Sequence, residues 1–199
     1  YMGDLVGESV YDRYGEEFPL LIKFIDAEDD LSIQVHPDDE MSKERHGAYG
    51  KTEMWYVLQA DQGARLNAGF KKEVDKLGFL DYLGEGKLVD ILNFEPVEKG
   101  DVFFIPAGRV HAIGKGILLA EIQQTSDVTY RIYDYGRKDK HGKERDLHLD
   151  LALDVIDYSV KDNYKTEYQP VKNESTEIVS CRYFTTNIVE VDQEVVKDY

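Results

Sequence analysis

The stretch GDVFFIPAGRVHAIG, residues 100–114, places one histidine after a strand and a tight turn. Residues 101–105 have the apolar composition of a short buried strand, and Pro106 to Gly108 then stop the strand and turn the chain. His111 follows the turn, where its side chain can point back across a sheet. One imidazole is a weak signal for a metal ion, so the interpretation depends on partners elsewhere in the chain.

The spacing of this stretch resembles the second signature of the cupin barrels. Gly100 is followed after five residues by Pro106, then by Gly108 and His111. In that family the histidine is a metal ligand, so the resemblance implies a jelly-roll fold with a metal site.

The run LSIQVHP, residues 31–37, alternates apolar and polar residues as a half-buried strand does. Gln34 and His36 therefore share one face and lie about 7 Å apart along the strand. Two polar neighbours on one face are also typical of a solvent-exposed surface, so the pair alone does not establish a site.

A third strand is predicted from GKTEMWYVLQA, residues 50–60, with Lys51, Glu53 and Trp55 on one face. A lysine and a glutamate on a largely apolar strand are costly to bury unless they are paired or bind a metal. The alternative is an edge strand whose two charges form a salt bridge.

Together, Gln34, His36, Glu53 and His111 supply two imidazoles, one carboxylate and one amide oxygen, a plausible set of metal ligands. Their net charge is only −1, so a bound divalent ion would remain a strong Lewis acid. The donor types permit zinc, manganese, cobalt or nickel.

Further polar residues lie on the strands predicted after His111. Glu121 belongs to the strand GILLAEIQQ, Asp127 to the turn after it, and Arg131 to the apolar strand VTYRIYDYGR. With Lys51, these residues suit proton transfer and the stabilisation of a polarised oxygen. No nucleotide-binding loop and no serine-nucleophile motif is present.

Composition limits the classes of partner. A formal charge of −16 argues against binding to nucleic acid or to an anionic membrane, and no apolar run is long enough for a membrane-spanning helix. The single cysteine, Cys181, excludes an internal disulfide and fits a reducing compartment such as the cytoplasm. Oligomeric state is not readable from the sequence.

The chain resembles the type I mannose-6-phosphate isomerases (phosphomannose isomerases) in their short bacterial form. The matching motifs are LSIQVHPDD, GKTEMWYVL, GDVFFIPAGRVHAIG and AEIQQTSDVTYRIYDYGR. The resemblance implies one zinc ion per chain on Gln34, His36, Glu53 and His111. It also places Arg131 in the active site, with Lys51, Glu121 and Asp127 around the substrate.

The implied reaction interconverts mannose 6-phosphate and fructose 6-phosphate through a cis-enediol, with a small sugar phosphate as the partner. Arg131 would stabilise the developing charge or the phosphate. Glu121 is a candidate base, and Lys51 and Asp127 are alternatives that the sequence does not separate.

The resemblance implies a mainly β protein, a cupin jelly-roll barrel with a small helical insertion and the start of a second β domain. We expect the metal-binding domain over residues 1–159, with the insertion at about 71–85 and a helix at about 146–158. Residues 160–177 are predicted to form a linker, and residues 178–199 the start of an incomplete C-terminal domain.

Two other functions fit a cupin fold. A binding module would hold a sugar phosphate or a metal without catalysis, but it would not need Lys51, Glu121 and Arg131 beside a full ligand set. A cupin oxygenase would need a redox metal, usually on a histidine-rich set, and Gln34 argues against it.

Overall fold

The structure, a computed structural model, describes residues 2–196. Its strands are β1 (Leu20–Ala27), β2 (Ile33–Val35), β3 (Glu53–Ala60), β4 (Arg65–Phe70), β5 (Leu92–Pro96), β6 (Val102–Ile105), β7 (His111–Ala112), β8 (Ile117–Gln124), β9 (Tyr130–Tyr133), β10 (Thr176–Ser180) and β11 (Thr185–Ile188). Its helices are α1 (Met2–Val6), α2 (Glu8–Tyr14), α3 (Asp39–His46), α4 (Lys76–Gly84) and α5 (Leu149–Leu153), with a 3₁₀ helix at Leu88–Asp90.

Two antiparallel sheets contain most of the strands. The four-stranded sheet has the order β1-β8-β3-β6, and the five-stranded sheet has the order β5-β4-β7-β2-β9. Within the described residues, no hydrogen-bonded strand pair joins the two sheets into a closed barrel. The protein is therefore mainly β, as predicted, and consists of two facing sheets.

An apolar core fills most of the space between the sheets. Trp55, Phe103 and Leu119 come from the four-stranded sheet, and Leu66 and Ala68 come from the other. All five are fully buried. Successive strand residues point to opposite faces, so the polar residues that alternate in register with this core also point between the sheets.

The outer face of the five-stranded sheet is covered by helices. Ile33 and Val35 of β2 and Ile132 of β9 pack there with Phe79 of α4 and Ala152 of α5. Since these residues take up the outer face, their neighbours Gln34 and Arg131 must face the other sheet. The helical cover thus determines which side chains of β2 and β9 reach the interior.

The outer face of the four-stranded sheet is covered by the β10–β11 hairpin. Ile178, Val179 and Phe184 pack against Met54 and Val102 of that sheet. The assignment of residues 178–199 to a second domain stays a prediction, and residues 197–199 lie outside the described part.

Two helices are shorter than the sequence predicts. The insertion becomes helical only at α4, where the Asp75 side chain accepts a hydrogen bond from the Gly78 N–H and caps the helix. The second helix is limited to α5. The backbone N–H of His148 donates to the Arg131 carbonyl, and the His148 ring accepts from the Arg131 N–H, so the chain before α5 is tied to the edge of β9.

A search of residues 2–196 found no helix with both the length and the apolar character needed to cross a membrane.

Close approach of the backbone at Gly114 gives a test of the packing. A Cβ atom at Gly114 would lie 1.9 Å from the Arg65 carbonyl oxygen, whereas one at Gly84 would meet nothing within 4 Å. We expect Gly114→Ala to lower the free energy of unfolding by about 1–3 kcal/mol or more. Gly84→Ala, the matched control, should leave stability unchanged or raise it slightly. Thermal or denaturant unfolding of both variants decides, and equal stability of the two would contradict this packing.

Candidate metal centre and active site

Three strands bring the predicted ligands together between the sheets. Gln34 and His36 lie at the end of β2, and His111 on β7 pairs in register with Gln34. Glu53 is the first residue of β3 on the facing sheet. At this point the four-stranded sheet therefore presents one carboxylate, and the five-stranded sheet presents two imidazoles to it.

His36, Glu53 and His111 form a compact and fully buried group. One ligand atom from each of the three residues lies within 4.8 Å of the other two. The Glu53 carboxylate is 3.6 Å from His36 Nε2 and 3.5 Å from His111 Nε2. Such an arrangement is a possible metal site.

Backbone carbonyls fix the orientation of both imidazoles. Nδ1 of His36 lies 2.9 Å from the Val128 carbonyl oxygen, and Nδ1 of His111 lies 2.8 Å from that of Arg109. Each Nδ1 must carry the proton to make this bond, which leaves the Nε2 lone pair directed at Glu53. Burial, the main cause, lowers the pKa of His111 to about 4 and that of His36 well below its usual value, so both rings stay neutral at physiological pH.

Gln34 completes the predicted set. Its Nε2 lies 3.2 Å from His111 Nε2. A half-turn of the amide exchanges its nitrogen and oxygen, which would present the oxygen as a ligand atom.

The state of Glu53 shows that these residues fit a cation. Its Oε1 is buried and has no hydrogen-bond partner within the described residues. Burial is the main cause that raises the pKa of Glu53 to about 7, although Lys51 opposes it. A fully buried carboxylate with an unsatisfied oxygen beside two neutral imidazoles is the donor set that a divalent ion needs.

Lys51 and Glu121, which the resemblance places around the substrate, adjoin this group. The Lys51 ammonium forms an ion pair with Glu53 Oε2, lies 3.1 Å from His36 Nε2 and 3.8 Å from Glu121 Oε1. Burial tends to raise the pKa of Glu121, but Lys51 and Lys23 outweigh it and lower that pKa. Glu121 is therefore an ionised carboxylate.

Lys23 and Trp55 are further contacts of Glu121 to which the sequence analysis assigned no role. Lys23 Nζ lies 3.1 Å from Glu121 Oε1, and the Trp55 indole N–H donates to Oε2 at 3.0 Å. The Lys23 side chain is 37% exposed, so it lies at the solvent side of the cluster. Its signal in the sequence was a single lysine within an otherwise apolar strand.

The structure does not bring Arg131 and Asp127 into this cluster. Arg131 pairs in register with Gln34, and its guanidinium donates to the Asp146 carbonyl oxygen at 2.8 Å. Asp127 is exposed. It lines a cavity of about 730 Å³ with Tyr49, Thr125, Ser126, Leu21 of β1 and five further residues.

The sequence matches known proteins. A profile described as "Phosphomannose isomerase type I, catalytic domain" matches residues 2–63. A mannose-6-phosphate isomerase of Streptococcus mutans is 43% identical over 169 residues, which cover 84% of this chain and 53% of that protein. The mannose-6-phosphate isomerase ManA of Bacillus subtilis is 41% identical over 178 residues, which cover 86% of this chain and 55% of that protein.

The chain belongs to the type I phosphomannose isomerase family. A crystal structure of the Bacillus subtilis mannose 6-phosphate isomerase aligns with 88% of this chain and 57% of that one, with a TM-score of 0.80 and 34% identity. A variant phosphomannose isomerase from Salmonella typhimurium aligns with 87% of this chain and 62% of that one, with a TM-score of 0.66, but at 15% identity it shows the fold alone. These matches confirm the predicted cupin fold. The chain spans about half the length of the curated relatives.

The single tryptophan of the chain can report on a metal in this candidate site. The ring of Trp55 lies 5.4 Å from the ring of His111. We expect a divalent ion to change Trp55 fluorescence with a stoichiometry of one, and His111→Ala to weaken binding about 100-fold or more. His141→Ala, which removes an exposed histidine, is the control. Equal affinity of the His111 variant and the parent would show that the ion binds elsewhere.

The affinity for the ion should depend on pH through Glu53. Because it is buried, the Glu53 carboxyl keeps its proton at pH values well above its ordinary pKa. The ion must displace that proton when it binds. Affinity should therefore rise between about pH 6 and pH 7 and level off above the raised pKa, with a proton released on binding. Calorimetric titration in buffers of different ionisation enthalpy measures this release. Affinity that does not change over this range would contradict a protonated Glu53.

Proposed function

We propose that this chain carries the catalytic domain of a zinc-dependent mannose-6-phosphate isomerase, which interconverts mannose 6-phosphate and fructose 6-phosphate. The observation that carries the proposal is the combination of a buried His36–Glu53–His111 site with an adjacent Lys51–Glu121 pair. A ligand set alone would bind a metal. The additional ammonium and ionised carboxylate supply the groups that an isomerisation needs.

Gln34, His36, Glu53 and His111 would hold the zinc ion. When bound, a divalent ion would supply Lewis-acid stabilisation of negative charge on the substrate oxygens. The donor atoms, two nitrogens and two oxygens without sulfur, also suit other divalent ions.

Glu121 is the base that we propose. In the open-chain sugar it would take the proton from C2 and return it to C1, through a cis-enediol, while the hydroxyl proton of O2 passes to O1. It is ionised, buried and beside the proposed metal site, whereas Asp127 is exposed on the wall of the cavity. Lys51 would donate to the substrate oxygens, since its ammonium already contacts both Glu53 and Glu121.

The three donors around Glu121 hold its orientation. Oε2 accepts from Trp55, while Oε1 lies next to Lys23 and Lys51. Donors on both oxygens keep the carboxylate ionised and in one orientation. The fixed base therefore favours an enzyme over the alternative of a non-catalytic cupin that binds sugar phosphate.

The domain boundaries and the compartment are parts of the same proposal. We assign residues 1–159 to the catalytic cupin domain, 160–177 to a linker and 178–199 to a further β domain. A cytoplasmic location and the absence of nucleic-acid partners rest on the charge and the single cysteine.

A coupled assay with mannose 6-phosphate tests the proposed reaction. Protein stripped of metal should be inactive, and one equivalent of zinc should restore the formation of fructose 6-phosphate. Stoichiometric zinc binding without turnover, in this chain and in a version extended at both ends, would favour the binding module.

Replacement of Arg131 tests its proposed role in charge stabilisation. Arg131→Ala should lose about 100-fold or more of kcat, because a guanidinium that would stabilise the developing charge or the phosphate is removed. It should keep its zinc, since Arg131 is not in the ligand set. Arg13→Ala, on exposed helix α2, is the matched control. Normal turnover of the Arg131 variant would show that the assignment is wrong.

A further inference from the structure

Asp39, at the start of α3, accepts hydrogen bonds from three separate parts of the chain. Its Oδ1 accepts from the backbone N–H of Gly50 at 3.0 Å and from Nε2 of Gln124, on β8, at 2.9 Å. Its Oδ2 accepts from the hydroxyl of Tyr183, in the turn of the β10–β11 hairpin, at 2.8 Å. One carboxylate thus connects the loop before β3, the four-stranded sheet and the hairpin that covers this sheet.

Gln124 extends these bonds to the residue that precedes β3. Gln124 Oε1 accepts from the backbone N–H of Thr52 at 2.9 Å, and the backbone N–H of Gln124 donates to the Thr52 carbonyl at 3.1 Å. Both residues are buried. Gln124 is therefore bound to Asp39 through its side chain and to both backbone polar groups of Thr52. Because Thr52 lies between Lys51 and Glu53, a displacement of its backbone would move both of those side chains.

The backbone before β3 lies tightly against the turn between β2 and α3. A Cβ atom at Gly50 would lie 2.5 Å from the Asp38 carbonyl carbon and 2.5 Å from the Asp39 nitrogen. The next residue, Lys51, donates its N–H to the Pro37 carbonyl at 3.1 Å. The Asp39 carboxylate is thus placed where it can hold this backbone, and glycine is the residue that permits the approach.

The charge on Asp39 strengthens these bonds. Burial tends to raise the pKa of Asp39, but its hydrogen bonds outweigh burial and lower that pKa, so the carboxylate is ionised. Burial and the bond to Asp39 raise the pKa of Tyr183 to about 12, so the phenol keeps its proton and donates it. Hydrogen bonds to an ionised acceptor are roughly twice as strong as those between neutral groups.

We propose that Asp39 is a positioning residue for the metal site, and that Tyr183 of the β10–β11 hairpin acts on this site through Asp39. The inference rests on the proposed function, in which Glu53 is a ligand and Lys51 donates to the substrate. Asp39 acts through the backbone on both sides of Lys51. Such support matters because a ligand has to be held within about 0.5 Å of its working position.

The proposal gives the β10–β11 hairpin a role besides covering the sheet. Its apolar side chains pack on Met54 and Val102, and Met54 directly follows Glu53. The hairpin therefore contacts the first turn of β3 residues from the outer face, while Tyr183 holds the backbone before them through Asp39. We expect the placement of this hairpin to influence the affinity for the ion.

Hydrogen exchange in the metal-free protein tests the first step. In Asp39→Ala the Thr52 amide should exchange about tenfold or more faster than in the parent, because its partner Gln124 has lost its own anchor. Glu40→Ala removes an exposed carboxylate from the same helix and should exchange as the parent does. Unchanged protection of Thr52 in Asp39→Ala would overturn the positioning role, whether or not the parent is an active enzyme.

Zinc affinity, followed by Trp55 fluorescence, tests the second step. Asp39→Ala should bind zinc about tenfold or more weakly, since groups that orient a ligand typically contribute this much. Tyr183→Phe should weaken binding about twofold or more, because one of the three bonds is lost. Tyr168→Phe, the matched control, removes a hydroxyl that donates to the Gly100 carbonyl at 2.7 Å, and it should bind zinc as the parent does.

A double variant tests whether Tyr183 acts through Asp39. Asp39→Ala combined with Tyr183→Phe should bind zinc no more weakly than Asp39→Ala alone, because the hydroxyl has nothing left to hold. Losses that add in the double variant would overturn the connection from the hairpin to the site.

Asp39→Asn guards against loss of the fold. It keeps an oxygen for Gly50 and Gln124, so its zinc affinity should lie between those of the parent and of Asp39→Ala. If Asp39→Ala unfolds, Asp39→Asn and Tyr183→Phe decide. A merely structural carboxylate would lower the melting temperature of the variants and leave the zinc affinity of the folded protein unchanged, and this result would contradict the proposal.

Turnover separates this inference from the proposed function. In an active parent, Asp39→Ala should lower kcat about tenfold or more with a smaller change in KM, because the displaced groups act on the reacting atoms. Unchanged kcat and zinc affinity would keep the isomerase and overturn the positioning role. A parent without turnover whose zinc affinity falls in Asp39→Ala would keep the positioning role and overturn the isomerase. A parent that binds no zinc would overturn both.

Discussion

The full burial of one carboxylate, that of Glu53, is the constraint on which the rest of this structure depends. Glu53 lies between the two sheets, beside His36, His111 and the Lys51 ammonium, and one of its oxygens has no hydrogen-bond partner within residues 2–196. Burial of an ionised group without compensation is expensive. The fold therefore surrounds Glu53 with groups that either carry positive charge or can share a cation with it.

The two outer layers make this arrangement possible. The helices pack on one sheet and the β10–β11 hairpin on the other, so the outward residues of β2, β3 and β9 are apolar. The intervening polar residues have to face inward, because side chains alternate along a strand. Backbone carbonyls at Val128 and Arg109 then orient the imidazoles, which requires no further polar side chains in the interior.

The strand pattern predicted that His36, Glu53 and His111 would come together, and the structure groups them. The alternation of polar and apolar residues placed Gln34 and His36 on one strand face, and it marked Glu53 as a charged residue on a largely apolar strand. Pro106 and Gly108 predicted the turn before His111. These are local properties of sequence. The helix predicted at about residues 146–158 is limited to α5, and its start is delayed because His148 is bound to β9 by hydrogen bonds that its own sequence does not reveal.

Other contacts depend on parts of the chain that are distant in sequence. Lys23 contacts Glu121 only because β1 pairs with β8, and an isolated lysine in an apolar strand does not indicate that pairing. The hydrogen bonds from Gln124 and Tyr183 to Asp39 likewise join residues that are far apart in the sequence. Such clusters follow from tertiary structure, and no spacing rule in the sequence predicts them.

We propose that His36, Glu53 and His111 are ligands of one ion, with Gln34 as the fourth. X-ray absorption spectroscopy of the zinc-loaded chain tests this claim most directly. We expect only nitrogen and oxygen neighbours at about 2.0–2.2 Å, and the outer-atom scattering of two imidazoles. A sulfur neighbour, or the scattering of fewer than two imidazoles, would contradict the account.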